Sequence, residues 1–312
     1  MRLRLLLPHY WPTWAGMLVL RLFALLPYGA LVRLGCAIGF LMRHLPLRFI
    51  RTARRNIELC LPELSEADRE RLLARHFQSL GIALMEIPLA WWACAQDIDR
   101  IVKVEGREHI EEALARGKGV ILLTGHFTPM EMGGRILARA VPLKIMYRPT
   151  KNEVLARFLS RCRSRHGGSS IARDDIRSLV GALKRNACVY YAPDQCYRKK
   201  GAEMVPMFGI PAASNTFTSR LARMTGASVL PFFVERLPGT QGYRVIIHPA
   251  FKNFPSESPA ADTARFHQMI ETQVRNAPEQ YLWIHRRFKG LTDDYPDYYA
   301  SGAAPAAQRT TA

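Results

Sequence analysis

The feature that most limits the possible folds is an alternation of helical patterns with short, wholly apolar runs. In residues 106–127, Ile110 and Leu114 lie on one face of a predicted helix, which ends near Gly117. The apolar run Val120–Leu123 then follows. A run of this kind is typical of a strand that is covered on both faces of its sheet.

The same alternation recurs along the chain. Residues 174–187 carry a helical pattern from Ile176 to Leu183, and the strand-like run 188–192 follows. Residues 214–234 repeat helix, glycine and strand, and residues 243–249 add another strand. We therefore predict an α/β fold in which a mixed sheet is covered by helices.

The segment between this alternation and the N-terminus contains one clear helix. Ser65 is a predicted N-cap, and apolar residues recur at helical spacing from Leu72 to Leu84.

Residues 10–42 are almost wholly apolar but contain Arg21 and Arg33. An arginine near the bilayer centre costs about 2.5–3.5 kcal/mol, so no window is a clean span of about 20 apolar residues. Both arginines could extend to a headgroup region. We predict a membrane anchor or an interfacial hairpin in residues 1–45; the alternative is a pair of buried helices in a soluble domain.

Two further observations bear on this segment. A signal peptide fits poorly, because Pro8 and Pro12 break the first apolar stretch and no small-residue cleavage site follows. The arginines that come next favour contact with an anionic cytoplasmic leaflet; they are Arg48, Arg51, Arg54 and Arg55.

The formal net charge of +18 indicates an acidic partner, which could be nucleic acid, an anionic membrane, or a phosphorylated or carboxylated substrate. The 6 cysteines are scattered, without a C-x-x-C motif or a Cys/His cluster at zinc spacing. This pattern favours a reducing compartment and argues against a structural metal. We predict no metal and no cofactor.

The stretch LLTGHFTPMEMGG contains His126 and Glu131, whose side chains would be about 140° apart on one helix. They must therefore lie on either side of a strand-to-helix turn. Thr128 is a predicted N-cap, Pro129 suits the first helical position, and Glu131 would complete a capping box. Glu131 could be only a cap, or it could orient the His126 imidazole, and one carboxylate could do both.

Several stretches carry a resemblance to a known family. They are RRNIELCLPELSEADRERL, VILLTGHFTPMEMGGR, YRPTKNEVL, YYAPDQCYRKKGAEMVPMFGIPAASNT, GASVLPFFVERLPGTQGYRV and EQYLWIHRRFKG, in order from Arg54 to Gly290. GHFTPME is similar to the H-x-x-x-x-D/E motif of the glycerolipid acyltransferase superfamily. The whole set most resembles the late lipid A acyltransferases, the lauroyl and myristoyl transferases.

The low-complexity composition of residues 301–312 predicts a disordered tail. The resemblance implies an enzyme on the cytoplasmic face of the inner membrane, with residues 46–300 as its catalytic domain. It would move a fatty acyl chain from acyl carrier protein to a hydroxyl of a hydroxyacyl chain on the Kdo-bearing lipid A precursor. His126 would be the general base and Glu131 its orienting partner. The resemblance makes Arg148 a substrate-binding or oxyanion-stabilising residue, with Lys151 as a weaker candidate; the alternative for Arg148 is a surface salt bridge.

We also predict substrate-binding roles for Asp194 and Gln195, which lie just past the strand-like run 188–192, and for Arg286, which could close over an anionic headgroup. The alternatives are a turn after Pro193 and simple surface charge.

The chain departs from the family pattern after Gln195, where an acidic residue is usual and Cys196 stands here. A nucleophilic role for Cys196 is a weaker hypothesis than an incidental thiol. Other readings stay open: another glycolipid acceptor, coenzyme A as donor, a lipid esterase, or a basic nucleic-acid-binding protein. The sequence has no G-x-S-x-G elbow, which argues against a lipid esterase. It also has no recognised nucleic-acid-binding motif, so we predict no nucleic-acid partner.

Overall fold

The computed structural model describes residues 3–300, so the predicted disordered tail 301–312 lies outside the described residues. The helices are α1 (Trp11–Phe23), α2 (Tyr28–Arg43), α3 (Arg48–Cys60), α4 (Glu66–Trp92), α5 (Ala95–Asp99), α6 (Arg107–Ala115), α7 (Met130–Ala140), α8 (Glu153–Arg165), α9 (Ile176–Lys184), α10 (Phe217–Thr225) and α11 (Pro259–Asn276). Short 3-10 turns lie at Leu3–Leu6, Pro8–Tyr10 and Pro278–Gln280.

The strands form one large sheet and one hairpin. They are β1 (Val102–Glu105), β2 (Val120–Leu123), β3 (Leu143–Tyr147), β4 (Ser169–Ala172), β5 (Cys188–Tyr191), β6 (Ala202–Met207), β7 (Ile210–Asn215), β8 (Ser228–Arg236) and β9 (Tyr243–Ile247). The 7-stranded sheet has the order β1-β9-β8-β2-β5-β3-β4, and β6 pairs only with β7. Neighbouring strands of the 7-stranded sheet are parallel, except that β8 and β9 are antiparallel. The predicted mixed sheet is confirmed.

Both faces of the sheet are covered, as the apolar strands require. In β2, Ile121 and Leu123 pack into a core shared with α3, α10 and α11, whereas Val120 and Leu122 pack into a second core with α6 and α7. All four β2 residues are buried. The alternation of side chains along a strand thus divides one apolar run between two helical layers.

The predicted strands and helices lie close to their observed positions. Ser65 caps α4, because its hydroxyl accepts the backbone N–H of Asp68 at 3.1 Å. The predicted capping box at Thr128 is wrong. Helix α7 begins at Met130, its N-cap Pro129 has no side-chain cap, and the Thr128 hydroxyl instead bonds that of Ser79 at 2.7 Å.

The N-terminal helices α1 and α2 pack against α4. Helix α2 crosses α4 at glycines: a Cβ on Gly39 would lie 2.1 Å from the Phe77 carbonyl oxygen, and one on Gly81 would lie 2.1 Å from that of Gly35. Within residues 3–300 no single helix has the length and apolarity to cross a bilayer, and only α2 with α3, bent by 94°, meets that test as a pair. A membrane-anchoring role for residues 1–45 stays a prediction.

The glycine crossing predicts a contrast between two substitutions. Gly39→Ala forces a methyl group into the α4 backbone and should destabilise the protein by about 2 kcal/mol or more, despite the better helix propensity of alanine. Gly16→Ala in α1 meets nothing within 4 Å and should be neutral or slightly stabilising. Thermal unfolding in detergent would compare them. Equal unfolding temperatures would show that α2 and α4 do not cross this closely.

Candidate active site

Three of the predicted site residues follow three adjacent parallel strands. His126 comes after β2, Asp194 after β5 and Arg148 after β3, and β5 lies between the other two. The carboxyl ends of parallel strands meet at one edge, which is where open α/β sheets bind ligands. The topology therefore brings together residues that lie far apart in the sequence.

His126 and Asp194 form a close pair at this edge. His126 Nδ1 lies 2.5 Å from Asp194 Oδ1, and the His126 backbone N–H donates to Asp194 Oδ2 at 2.8 Å. The carboxylate thus holds both the backbone and the ring of the same residue. His126 Nε2 has no hydrogen-bond partner in the described part of the chain, and His126 lines the large cavity described below.

The electrostatics of the pair favour a charged imidazole. Burial lowers the pKa of His126, but the charge and hydrogen bond of Asp194 outweigh it, so its pKa is raised above 6.5. Burial raises the pKa of Asp194, yet its interactions with His126 bring that pKa down to about 2. Asp194 is 1% exposed, so its charge depends on donors from the protein. This carboxylate can stabilise an imidazolium formed during a reaction.

Glu131 does not occupy the place predicted for it. Its Oε1 accepts a hydrogen bond from Trp91 Nε1 at 3.0 Å, and among the described contacts none joins it to His126. The predicted pairing is corrected because Glu131, the second residue of α7, faces Trp91 of α4, whereas the end of β5 places Asp194 against His126. Glu131 still lines the cavity, so a role for it in the reaction stays a prediction.

A cavity of about 1180 Å³ opens from His126. One part is walled by apolar and small residues of α4, α7, β3 and α8, and Trp91 lies beside Glu131 there. The apolar and small lining residues of this part are Ala90, Trp91, Gly134, Ala138, Ile145 and Cys162, and Arg135 and His166 lie beside them. These apolar and small side chains suit a flexible hydrocarbon chain.

The outer part of the cavity is strongly cationic. Six exposed basic side chains line it, which we call the cationic rim: Arg148, Arg173, Arg198, Lys199, Lys200 and Arg220. Among the described lining residues, the carboxylates are Glu131 and Asp174, and Asp174 lies 3.8 Å from Arg173. The rim is therefore suited to an anionic ligand.

The remaining predicted residues differ in position. Gln195 lines the cavity, whereas Lys151 is exposed and does not line it. Arg286 is exposed and stacks its guanidinium 5.5 Å from the Tyr299 ring centre, away from the cavity. Its neighbour Arg287 is the buried one, at 3% exposure, and its Nη1 donates to the Ala213 carbonyl at 2.9 Å.

Cysteine chemistry gains no support from this geometry. Burial raises the pKa of the Cys196 thiol, which disfavours the thiolate that a nucleophile needs. Its backbone N–H donates to His285 Nε2 at 3.1 Å.

Within residues 3–300, no group of at least 3 His, Cys, Asp or Glu side chains is placed to hold a metal ion.

The fold and the site together define an α/β protein with a histidine–carboxylate pair that opens into a cavity with apolar and cationic parts. Residues 2–290 match the family model described as bacterial lipid A biosynthesis acyltransferase. The chain belongs to this family and is an acyltransferase.

Two curated relatives from Escherichia coli K12 have similar identity. A lipid A biosynthesis palmitoleoyltransferase is 38% identical over 283 residues, covering 90% of this chain and 92% of that protein. A lipid A biosynthesis lauroyltransferase is 37% identical over 296 residues, covering 95% and 97%. A solved structure, the 1-acyl-sn-glycerophosphate acyltransferase PlsC from Thermotoga maritima, has a TM-score of 0.38 and 16% identity over 74% of this chain and 97% of that one.

The paired charges predict a measurable titration. His126 should titrate above 6.5 in the unsubstituted protein. In Asp194→Asn the attraction is lost while burial remains, so the His126 pKa should fall below that of the unsubstituted protein. NMR titration of histidine ring signals, assigned with His126→Gln, would measure both values. A His126 pKa that is the same in both proteins would contradict the pairing.

Proposed function

We propose that this protein transfers a fatty acyl chain from the thioester of acyl carrier protein to a hydroxyl of a hydroxyacyl chain on the Kdo-bearing lipid A precursor. The observation that carries the proposal is the His126–Asp194 pair, whose free ring nitrogen belongs to a residue that lines a cavity suited to an acyl chain. The family membership supplies the reaction class.

The pair provides the proton chemistry. An alcohol is a poor nucleophile until a base removes its proton, and neutral His126 can accept that proton at Nε2 while Nδ1–H bonds Asp194. The oxygen then attacks the thioester carbonyl, the carbon–sulfur bond breaks, and the imidazolium returns the proton to the departing thiolate. Asp194 stabilises the imidazolium between these two steps. No acyl-enzyme intermediate is required.

The tetrahedral intermediate carries a negative charge on the former carbonyl oxygen. Arg148 is the best candidate to stabilise it, because it follows β3 at the same sheet edge and lines the cavity. Arg148 is exposed at the cavity, where a bound ligand could contact it.

The apolar part of the cavity would receive the acyl chain. Its wall includes Trp91, whose indole is fixed by Glu131, so this carboxylate would shape the acyl site rather than orient the base. The relatives named palmitoleoyltransferase and lauroyltransferase have nearly equal identity to this chain. Overall identity therefore does not select a donor length, and local wall residues would set it.

The cationic rim and the N-terminal helices suit the other expected partners. Basic side chains attract both an acidic carrier protein and the phosphates of a saccharolipid. Exposed apolar residues in α1 and just after it include Trp11, Leu18, Leu22 and Leu25, which would contact the inner membrane from its cytoplasmic side. A coenzyme A donor or another glycolipid acceptor is the alternative within the same reaction class.

Carboxylate substitutions separate the roles of the two acids. Asp194→Asn should lower kcat by about 10²- to 10⁴-fold, similar to His126→Ala, because the base loses its orientation and its counter-charge. Glu131→Gln keeps an acceptor oxygen for Trp91 Nε1 and should lose far less. Acyl transfer would be assayed with purified acyl carrier protein donor and lipid acceptor. A larger loss in Glu131→Gln than in Asp194→Asn would restore Glu131 as the partner of His126.

The rim predicts a selective binding defect. Replacing Arg198, Lys199 and Lys200 together with alanine should raise KM for the phosphorylated acceptor by about tenfold, with less change in kcat. A matched control replaces three exposed cations near β1, at the far edge of the sheet: Arg100, Lys103 and Arg107. Steady-state kinetics would vary donor and acceptor separately. An equal effect of both triple variants would exclude a specific role for the rim.

A further inference from the structure

The turn that carries His126 is held by a segment from the C-terminal part of the chain, residues 279–285, which we call the strap. The Leu282 N–H donates to the His126 carbonyl at 2.9 Å, and the Thr128 N–H donates to the Gln280 carbonyl at 2.7 Å. Between them, Phe127 and Tyr281 form an isolated antiparallel bridge. The catalytic turn is therefore paired with the strap on both sides of Phe127.

The strap also reaches the carboxylate itself. The Tyr281 hydroxyl donates to Asp194 Oδ2 at 3.3 Å, and its ring packs edge-on against Phe127 at 5.4 Å between ring centres. Tyr281 is buried, so this hydroxyl contributes to satisfying a carboxylate that water cannot reach. One strap residue thus contacts both the turn and the partner of the base.

Gln280 ties the strap to the sheet. Its Oε1 accepts the Arg236 backbone N–H and its Nε2 donates to the Arg236 carbonyl, both at 2.8 Å. Arg236 forms a buried ion pair with Glu86, with Nε and Oε1 2.6 Å apart and side-chain exposures of 6% and 3%. The Tyr243 hydroxyl also donates to Glu86 Oε1, at 2.7 Å.

A second route leads from the same ion pair back to the turn. Arg236 Nη1 donates to the Ser79 hydroxyl at 2.8 Å, and that hydroxyl lies 2.7 Å from the Thr128 hydroxyl. Thr128 is therefore hydrogen-bonded to Gln280 through its backbone N–H and to Ser79 through its side-chain hydroxyl. A closed ring of hydrogen bonds joins Arg236 to the residues that follow His126.

The strap is fixed to the helices as well. Asn56 Nδ2 donates to the carbonyls of Trp283 at 2.6 Å and His285 at 2.7 Å. His76 Nδ1 lies 3.0 Å from the Glu279 carbonyl, and burial lowers the pKa of His76 to about 4, so the neutral ring donates this bond. Helices α3 and α4 thus hold the two ends of the strap.

We propose that the strap is a positioning element for the His126–Asp194 pair, with Gln280 and Tyr281 as its positioning residues. This inference rests on the proposed function of His126 as the base. A buried ion pair such as Arg236–Glu86 contributes little net stability, because desolvation offsets the attraction, but it fixes geometry. A base must be held within about 0.5 Å of its working position, and the strap transmits that fixed geometry to the turn.

The tyrosine hydroxyl gives the first test. Tyr281→Phe removes one donor from Asp194, so the carboxylate charge acts more strongly on His126, and the His126 pKa should rise by about half a unit. Tyr295→Phe is the matched control, since its hydroxyl donates to the Pro211 carbonyl and contacts neither Asp194 nor the strap. NMR titration of His126 reads both variants without an acyl-transfer assay. An unchanged His126 pKa in Tyr281→Phe would overturn the role of Tyr281.

The second test concerns Gln280, which ties the strap to Arg236. Gln280→Met keeps the side-chain volume but removes both bonds to Arg236, and kcat should fall about tenfold while KM changes little. The control is Gln273→Met, at the other buried glutamine of this region. Both are assayed well below their unfolding temperatures. Equal kcat values would overturn the role of Gln280. If the proposed role of His126 as the base were wrong, His126→Ala would retain full acyl transfer, whatever the result with the strap variants.

Discussion

The structure of the site depends on one buried negative charge, the carboxylate of Asp194. At 1% exposure it has little contact with water, so protein donors must satisfy it. The His126 backbone, the His126 ring and the Tyr281 hydroxyl supply those donors. Meeting this requirement brings the end of β2, the end of β5 and the strap to one point. The same requirement explains why the histidine that faces the cavity is held so closely.

Local features of the fold could be predicted from the sequence because they depend on neighbouring residues. The apolar run Val120–Leu123 and the helical pattern from Ile176 follow periodicities that burial imposes, and both elements lie where expected. Ser65 was predicted as a cap from its own type and position. Thr128 has the same capping chemistry, but its hydroxyl bonds Ser79 of α4 instead. A tertiary contact of this kind cannot be predicted from the residues around Thr128.

The composition of the site was predicted better than its pairing. The sequence predicts that His126 and Asp194 each follow a strand. Their pairing requires that β2 and β5 be neighbours in the sheet, and local sequence patterns do not predict strand order. The spacing of the H-x-x-x-x-E motif instead favoured Glu131, which the structure joins to Trp91. In the WIHRRF stretch, Arg286 faces outward and Arg287 inward, a choice made by tertiary packing.

The central claim is that Asp194 holds the His126 ring through Nδ1 and leaves Nε2 to accept the substrate proton. The most direct measurement is the tautomer of neutral His126, read from long-range ¹H–¹⁵N NMR correlations above its pKa. The structure predicts that Nδ1 carries the proton and that Nε2 is unprotonated. A neutral ring protonated at Nε2 would contradict the account, because the nitrogen assigned as base would then be unable to accept a proton.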